Sequence, residues 1–337
     1  MQIQVWRIQG GQFHFGKQGL GQEETRVTFP SDSLFAALIA RLALLEGDAA
    51  VKKFIEPFCE GRPPFVITST FPFAEDIFFF PVPLASLIVK KELSKEIKFK
   101  SLKKVKYVSE KIYRQLIAGK SLIEFAQERE TFWALPEEKI PEKIWMEERR
   151  PRVTIERDTN KSTLYFTGSV TFAKNCGLWF GIRWLDEDDA LKSQVMNLLA
   201  DLGEAGLGAE RSAGMGKADI KSESSLELPN PSSTGAWTSL SRYLPRDDKR
   251  EMNAFQDSQA AYNIERVGGW LDSHTKRGQR RRPVNMLTEG AVLGAAGSET
   301  PGRVEDVAPK YGGDEDHQGH PVYRSGIALA VGFGGPA

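Results

Sequence analysis

Ile3, Val5 and Ile8 nearly alternate with Gln2, Gln4 and Arg7 and run into Gly10 and Gly11. Side chains on a strand point to alternate faces, so this pattern predicts an opening strand closed by a turn. Ser31 and Asp32 then precede Leu34, Phe35, Leu38, Ile39, Leu42 and Leu45. Recurrence at three and four residues predicts a helix with one apolar face, reaching Gly47, with the oxygens of Ser31 and Asp32 on its free N–H groups. Phe65 to Pro83 is apolar and aromatic but carries several prolines. Proline cannot donate to a ladder, so short extended segments at a sheet edge or in a loop are expected there. Val153 to Arg157, Ser162 to Phe172 and Leu178 to Trp184 read as strands. Asp186 is expected to open a second helix whose Val195, Leu198, Leu199 and Leu202 form one face, and Ala218 to Leu228 alternates in part.

Strand, helix, strands, strand, helix, strand is the β-α-β-β-α-β order of a ferredoxin-like fold in the α+β class. The run Pro229 to Gly235 has the composition of a turn or linker and marks a boundary. It divides the chain into a ferredoxin-like domain at 1–228 and a smaller β-rich domain at 236–337, with apolar pieces at Val284 to Leu293 and Val322 to Val331. A basic insertion interrupts the first domain around 86–150, densest between Lys90 and Lys120. Two readings of it stand open: a solvated helical face, or a surface turned to nucleic acid or a partner protein.

At 337 residues the chain exceeds one ordinary core, and 40% hydrophobic with 27% charged residues is the composition of a folded protein. Its 45 basic and 45 acidic residues cancel, so a polyanion must be met by a local patch rather than an overall field. Cys59 and Cys176 lie far apart without the close-spaced partners of a zinc or redox motif, which points to a reducing, cytoplasmic setting. Met1 to Gly10 lacks the apolar stretch of an export signal, and Arg41 interrupts the longest apolar helix, so no membrane contact is expected.

The densest chemical signal is Gly203-Glu-Ala-Gly206-Leu-Gly208-Ala-Glu-Arg211-Ser-Ala-Gly214-Met-Gly216-Lys217. Glycines allow positive φ and let backbone N–H groups approach an anion, and Arg211 adds a forked cationic donor. A phosphate-binding P-loop needs glycine where Arg211 stands and serine or threonine where Ala218 stands. A dinucleotide fingerprint from Gly206 would also need glycine at Arg211, and it would need the loop to follow a strand rather than a helix. Nucleotide cofactors are therefore not expected. Helix termination is a competing account of one or two of these glycines.

The pattern Gly-x-Gly-x-x-Arg-Ser-x-Gly-x-Gly after the second helix of such a unit resembles the signature of the RAMP superfamily of CRISPR proteins. Phe13 to Gly16, Ser31 to Leu38, Arg152 to Asp158, Leu240 to Pro245, Asn285 to Gly290 and His320 to Gly326 resemble, in the same order, the fourth Csm subunit of type III-A effectors. The resemblance implies tandem RRM-like domains and a subunit with no catalytic role of its own. Such a subunit holds the repeat-derived 5′ handle of the crRNA, joins the large polymerase-like subunit to the first backbone RAMP subunit, and meets target RNA only indirectly. Carried over by motif, Gly206, Gly208, Arg211, Ser212, Gly214 and Gly216 should line the handle groove, with Lys217 closing the loop and His14 and Lys17 on its neighbour.

Further donors lie in the second domain. Arg277, Arg280, Arg281 and Arg282 form a basic run that reads either as RNA contact or as a solvated loop. Arg242 and Tyr243 lie at a strand end, where they offer a cation and a stacking face, although for Tyr243 a half-buried core aromatic is the favoured reading. The competing function is an endoribonuclease processing precursor guide RNA, with His14 as acid or base and Lys17 or Tyr243 as its second group. A metal site would have to draw on His274, His317 and His320, which do not form a closed ligand set. A pure scaffold is a third reading, and the basic loops argue against it.

Overall fold

The opening strand spans Gln2–Gln9 with Ile3, Val5 and Ile8 buried. The computed structural model describes residues 1–16, 24–87, 102–125, 131–155, 161–271, 279–309 and 322–334. Gln2–Gln9 lies between two antiparallel neighbours, Asp219–Glu227 and Cys176–Trp184, inside an eight-stranded mixed sheet. The sheet continues through Phe71–Ala74, Ile77–Pro81, Tyr107–Ser109 and Phe132–Trp133, while Phe65–Ile67 pairs separately with Cys176–Trp184.

The proline-bearing block from Phe65 to Pro83 is thus central, not at an edge. Pro72 pairs with Leu178, but the register between Phe71–Ala74 and Ile77–Pro81 begins only at Phe73. The missing donor therefore falls outside the two-residue ladder on that side. Aromatic packing fixes the block in place: Phe80 stacks on Tyr113 at 4.5 Å and meets the edge of Trp179 at 4.8 Å.

Helices Ser31–Glu46 and Asp189–Ala205 form as their periodicity predicts, with Leu34, Phe35, Leu38, Ile39 and Leu42 buried on the first and Val195, Leu198, Leu199 and Leu202 on the second. Asp188 rather than Asp186 caps the second helix, its Oδ1 accepting from the N–H groups of Ala190 and Leu191 at 2.8 and 3.1 Å. On the first helix neither Ser31 nor Asp32 caps. Pro30 is the N-cap residue, and the two side chains bond instead to Arg242 and Arg324 of the C-terminal part.

Of the basic insertion, residues 88–101 lie outside the described residues. Its distal end folds as strand Tyr107–Ser109 and helix Glu110–Ile117, which buries Ile112, Tyr113, Leu116 and Ile117. That part is core structure carrying lysines on its outer side, not a detached basic arm. Trp145–Ile155 pairs with Ser162–Phe172 from Trp145↔Phe172 to Ile155↔Ser162, making a long hairpin whose Val153, Ile155 and Leu164 are exposed.

The C-terminal part is β-rich. Trp237–Ser239 lies between Val292–Leu293 and Ala330–Gly332, beside the two-stranded pairs Ile264–Val267 with Val284–Leu287 and Val304–Asp306 with Tyr323–Ser325. Its longest α-helix among the described residues is Lys249–Asn253. Leu240, Val292, Ile327, Leu329, Val331 and Phe333 pack into the same core cluster as the residues of the large sheet. The chain is a mixed α+β structure whose two parts share that core.

Candidate nucleic-acid interface

Helix Asp189–Ala205 stops at Gly206, whose φ of 91° is closed to most L residues. The loop then folds on itself. Leu207 N donates to Gly216 O at 2.9 Å, Ala209 N to His14 O at 2.9 Å, and Gly216 N to Gln12 O at 2.8 Å. A Cβ on Gly208 would fall on the carbonyl oxygen of His14, and one on Gly216 on that of Leu207. Those two glycines permit close backbone approach within the protein. Gly214, at φ 83°, has nothing within 4 Å of the place a Cβ would take. The loop is a rigid platform more than an open nest of amides, and its outward groups are Arg211 and Ser212 on the turn Arg211–Ala213.

A groove of about 880 Å³ opens from this platform. It runs past Gly206, Gly208, Arg211 and Ser212, along the small residues Ala36, Ala37 and Ala40 of the first helix, to Val267, Gly268 and Trp270 of the C-terminal part. Among the described lining residues, Arg26, Arg41, Arg211, Arg242, Arg281 and Arg324 face three carboxylates, Asp32, Glu210 and Glu265. The groove is therefore locally cationic in a chain of zero formal net charge.

A buried ionic network forms its floor. Arg242, only 2% exposed, donates from Nη2 to Glu265 Oε2 at 2.8 Å and from Nε to Glu289 Oε1 at 3.1 Å. Its Nη1 is buried without a hydrogen-bond partner. Burial opposes the charge of this guanidinium, but Glu289, Glu265 and Asp32 hold its ionisation above the usual arginine range. Burial likewise pushes Glu265 up, and the hydrogen bond from Arg26 with the charge of Arg242 outweighs it, leaving this carboxyl at about 2. Arg324 Nη1 donates to Asp32 Oδ2 at 2.8 Å and to Ser33 Oγ at 3.1 Å.

The groove thus brings together Gly206, Gly208, Arg211, Ser212, Arg242 and Arg281. The expectation for Arg242 needs correction, because it is a buried structural cation rather than an exposed one at a strand end. Tyr243 is a core aromatic, fully buried, with its hydroxyl donating to Glu251 Oε2 at 2.9 Å. Arg282 is turned to protein, donating to the carbonyl oxygens of Ala308 and Asp306. Arg280 lies over the Trp270 ring at 4.7 Å. Lys217 is exposed and pairs with Glu204 at 2.7 Å, and Gly214 and Gly216 do not line the groove.

His14 is 3% exposed beneath the glycine loop, and its Nδ1–H donates to Gly168 O at 2.7 Å. Lys17, Arg277, His274, His317 and His320 lie outside the described residues. Among the described residues no group of three or more His, Cys, Asp or Glu is arranged to hold a metal ion, and no helix is long and apolar enough to cross a membrane. Arg26, Arg41 and Trp270 carry no local motif, and Arg324, though inside the His320 to Gly326 block, was not predicted as a site residue. Arg152 is a further addition, reaching from the hairpin to Glu210 of the loop at 2.6 Å. It falls within the Arg152 to Asp158 block of the family resemblance, as Arg324 falls within the His320 to Gly326 block.

Comparison with known proteins follows the same outline. Residues 232–333 match the family model of the CRISPR Csm4 C-terminal domain. The chain is 24% identical over 309 residues to the Csm4 protein of Thermococcus onnurineus, covering 90% of each, and 23% identical over 371 residues to that of Methanocaldococcus jannaschii, covering 95% of this chain and 94% of the relative. Its fold is similar to a chain of a Csm3–Csm4 subcomplex of a type III-A interference complex, with a TM-score of 0.62, 17% identity and 99% of both chains covered. It is also similar to a chain of a Csm1–Csm4 cassette in complex with cA4, with a TM-score of 0.59, 19% identity and the whole of both chains covered. With the C-terminal family match, relatives aligned along nearly the whole chain and a shared fold in agreement, this chain is similar over its length to the Csm4 proteins of CRISPR systems.

Proposed function

We propose that this chain is a non-catalytic RNA-binding subunit of a type III-A CRISPR ribonucleoprotein in the cytoplasm, holding the repeat-derived 5′ handle of the crRNA in the arginine-lined groove. The observation that carries this reading is the convergence of Gly206, Gly208, Ser212 and the exposed Arg211 on one cleft with the partly exposed Arg26, Arg41 and Arg281. A single strand held in a fixed conformation needs cations along its phosphates, hydrogen-bond donors and flat surfaces for its bases, and this cleft offers all three.

On the same reading the chain joins two partners. Similar chains come from a Csm1–Csm4 cassette and a Csm3–Csm4 subcomplex. By that likeness this chain bridges the large polymerase-like subunit to the first backbone RAMP subunit and meets target RNA only indirectly. The strand order Asp219–Glu227, Gln2–Gln9, Cys176–Trp184, Phe71–Ala74, with the helices Ser31–Glu46 and Asp48–Cys59 after the first strand and Asp189–Ala205 before the last, supports a ferredoxin-like reading of 1–228. The 236–337 part is then its more elaborated, RRM-like companion.

Photo-crosslinking of an assembled effector tests the handle assignment. A guide carrying 4-thiouridine in its handle should crosslink to peptides spanning Arg26, Gly206 to Ser212 and Val267 to Arg281. Crosslinks confined to the guide's spacer, or to other surfaces of the chain, would overturn it. The buried ring of His14 gives the processing-nuclease reading no exposed acid or base, and the purified chain is expected to leave precursor RNA intact.

A further inference from the structure

Six of the seven tryptophans, all among the described residues, are buried or packed against the core, whereas Trp270 is 59% exposed. It lines the groove. Its backbone neighbours are held, with Arg281 N donating to Gly269 O at 3.0 Å and Leu271 N to Gln279 O at 2.8 Å, and Leu271 is anchored in a small cluster with Val307 and Val322. The Arg280 guanidinium sits over the ring, 4.7 Å from its centroid. A large apolar ring is thus fixed, backed by a cation on one face and left open to solvent.

We propose that Trp270, backed by Arg280, is a stacking platform for one unpaired nucleobase of the strand in the groove. The inference deepens the RNA reading above and rests on it. Every base has a flat face, and an indole already paired with a guanidinium offers a matching one without reorganisation. A strand also carries phosphates, and the groove that Trp270 lines sets six arginines against three carboxylates, an excess of cation that an apolar protein segment would not use.

The test uses the assembled effector and guides carrying 2-aminopurine at successive handle positions. In the wild type, one position should be quenched well beyond the others. Trp270→Leu should release that quenching at that position alone and weaken guide retention roughly 5- to 150-fold, while Trp270→Tyr keeps most of both. If the quenching profile and retention are the same in wild type and Trp270→Leu, the stacking role is wrong while handle binding survives. If the wild-type subunit adds nothing to guide retention, the RNA reading itself fails and this inference with it. Shielding of Trp270 by a partner subunit without RNA, unchanged when guide is added, would also overturn it.

Discussion

Arg324 Nη1 lies 2.8 Å from Asp32 Oδ2 across 292 residues of chain, and both side chains are almost fully buried. With Arg242, Glu265, Glu289 and Arg26, this pair ties the C-terminal part to the start of the first helix. The groove has its walls in both parts, so its shape depends on this buried network.

Removing one member of a buried pair leaves the other charge uncompensated. Asp32→Ala or Arg324→Ala should therefore destabilise the chain by about 3–5 kcal/mol. Replacing both with apolar residues of similar size, as Asp32→Leu with Arg324→Met, should recover much of that loss. Urea unfolding midpoints of the two single variants and the double variant measure the difference directly.

Acid should loosen the same floor. The folded Glu265 carboxyl sits at about 2 against an ordinary 4.5, so its contribution is fully present above the ordinary value and is lost as pH falls through the folded one. Wild type minus Glu265→Gln stability should shrink between roughly pH 4.5 and 2 and stay level from pH 5 to 8. Paired urea titrations at pH 7 and pH 3 report it, and a constant difference would show that Glu265 does not carry the coupling.

The glycines of the loop should rank by what a Cβ would meet. Gly214→Ala faces only the left-handed backbone penalty of about 1–2 kcal/mol, because the surrounding space is open. Gly208→Ala and Gly216→Ala add a clash with the carbonyl oxygens of His14 and Leu207, so both should lose more stability than Gly214→Ala. Thermal melts of the three variants check the order.

The helix Ser31–Glu46 is legible in the sequence because its apolar spacing is local. The use of its first side chains is not. A hydroxyl and a carboxylate at a helix start satisfy whichever donor arrives, and here Arg242 and Arg324 arrive from 211 and 292 residues away. The same non-locality hides the groove. Arg211 stands in a recognisable loop, but Arg26, Arg41 and Arg324 are isolated in sequence and become neighbours only once the sheet is built. Conversely, Arg242 and Arg282 look like available cations until their partners at Glu265, Glu289 and the carbonyls of Asp306 and Ala308 are seen. The prolines between Phe65 and Pro83 mislead for a related reason, since Pro72 lies outside the Phe73–Ala74 ladder to the next strand, where its missing N–H breaks no pairing.

Guide retention by an assembled effector carrying Arg211→Ala tests the central claim most directly. Arg211 is exposed on the loop's outward turn, so the variant should keep the stability of the parent within about 0.5 kcal/mol. Its binding of the handle should weaken, and the slope of log affinity against log salt should fall by about one, as for a lost phosphate contact. Unchanged retention and an unchanged salt slope in a folded, assembled complex would contradict the assignment of this groove to the guide RNA.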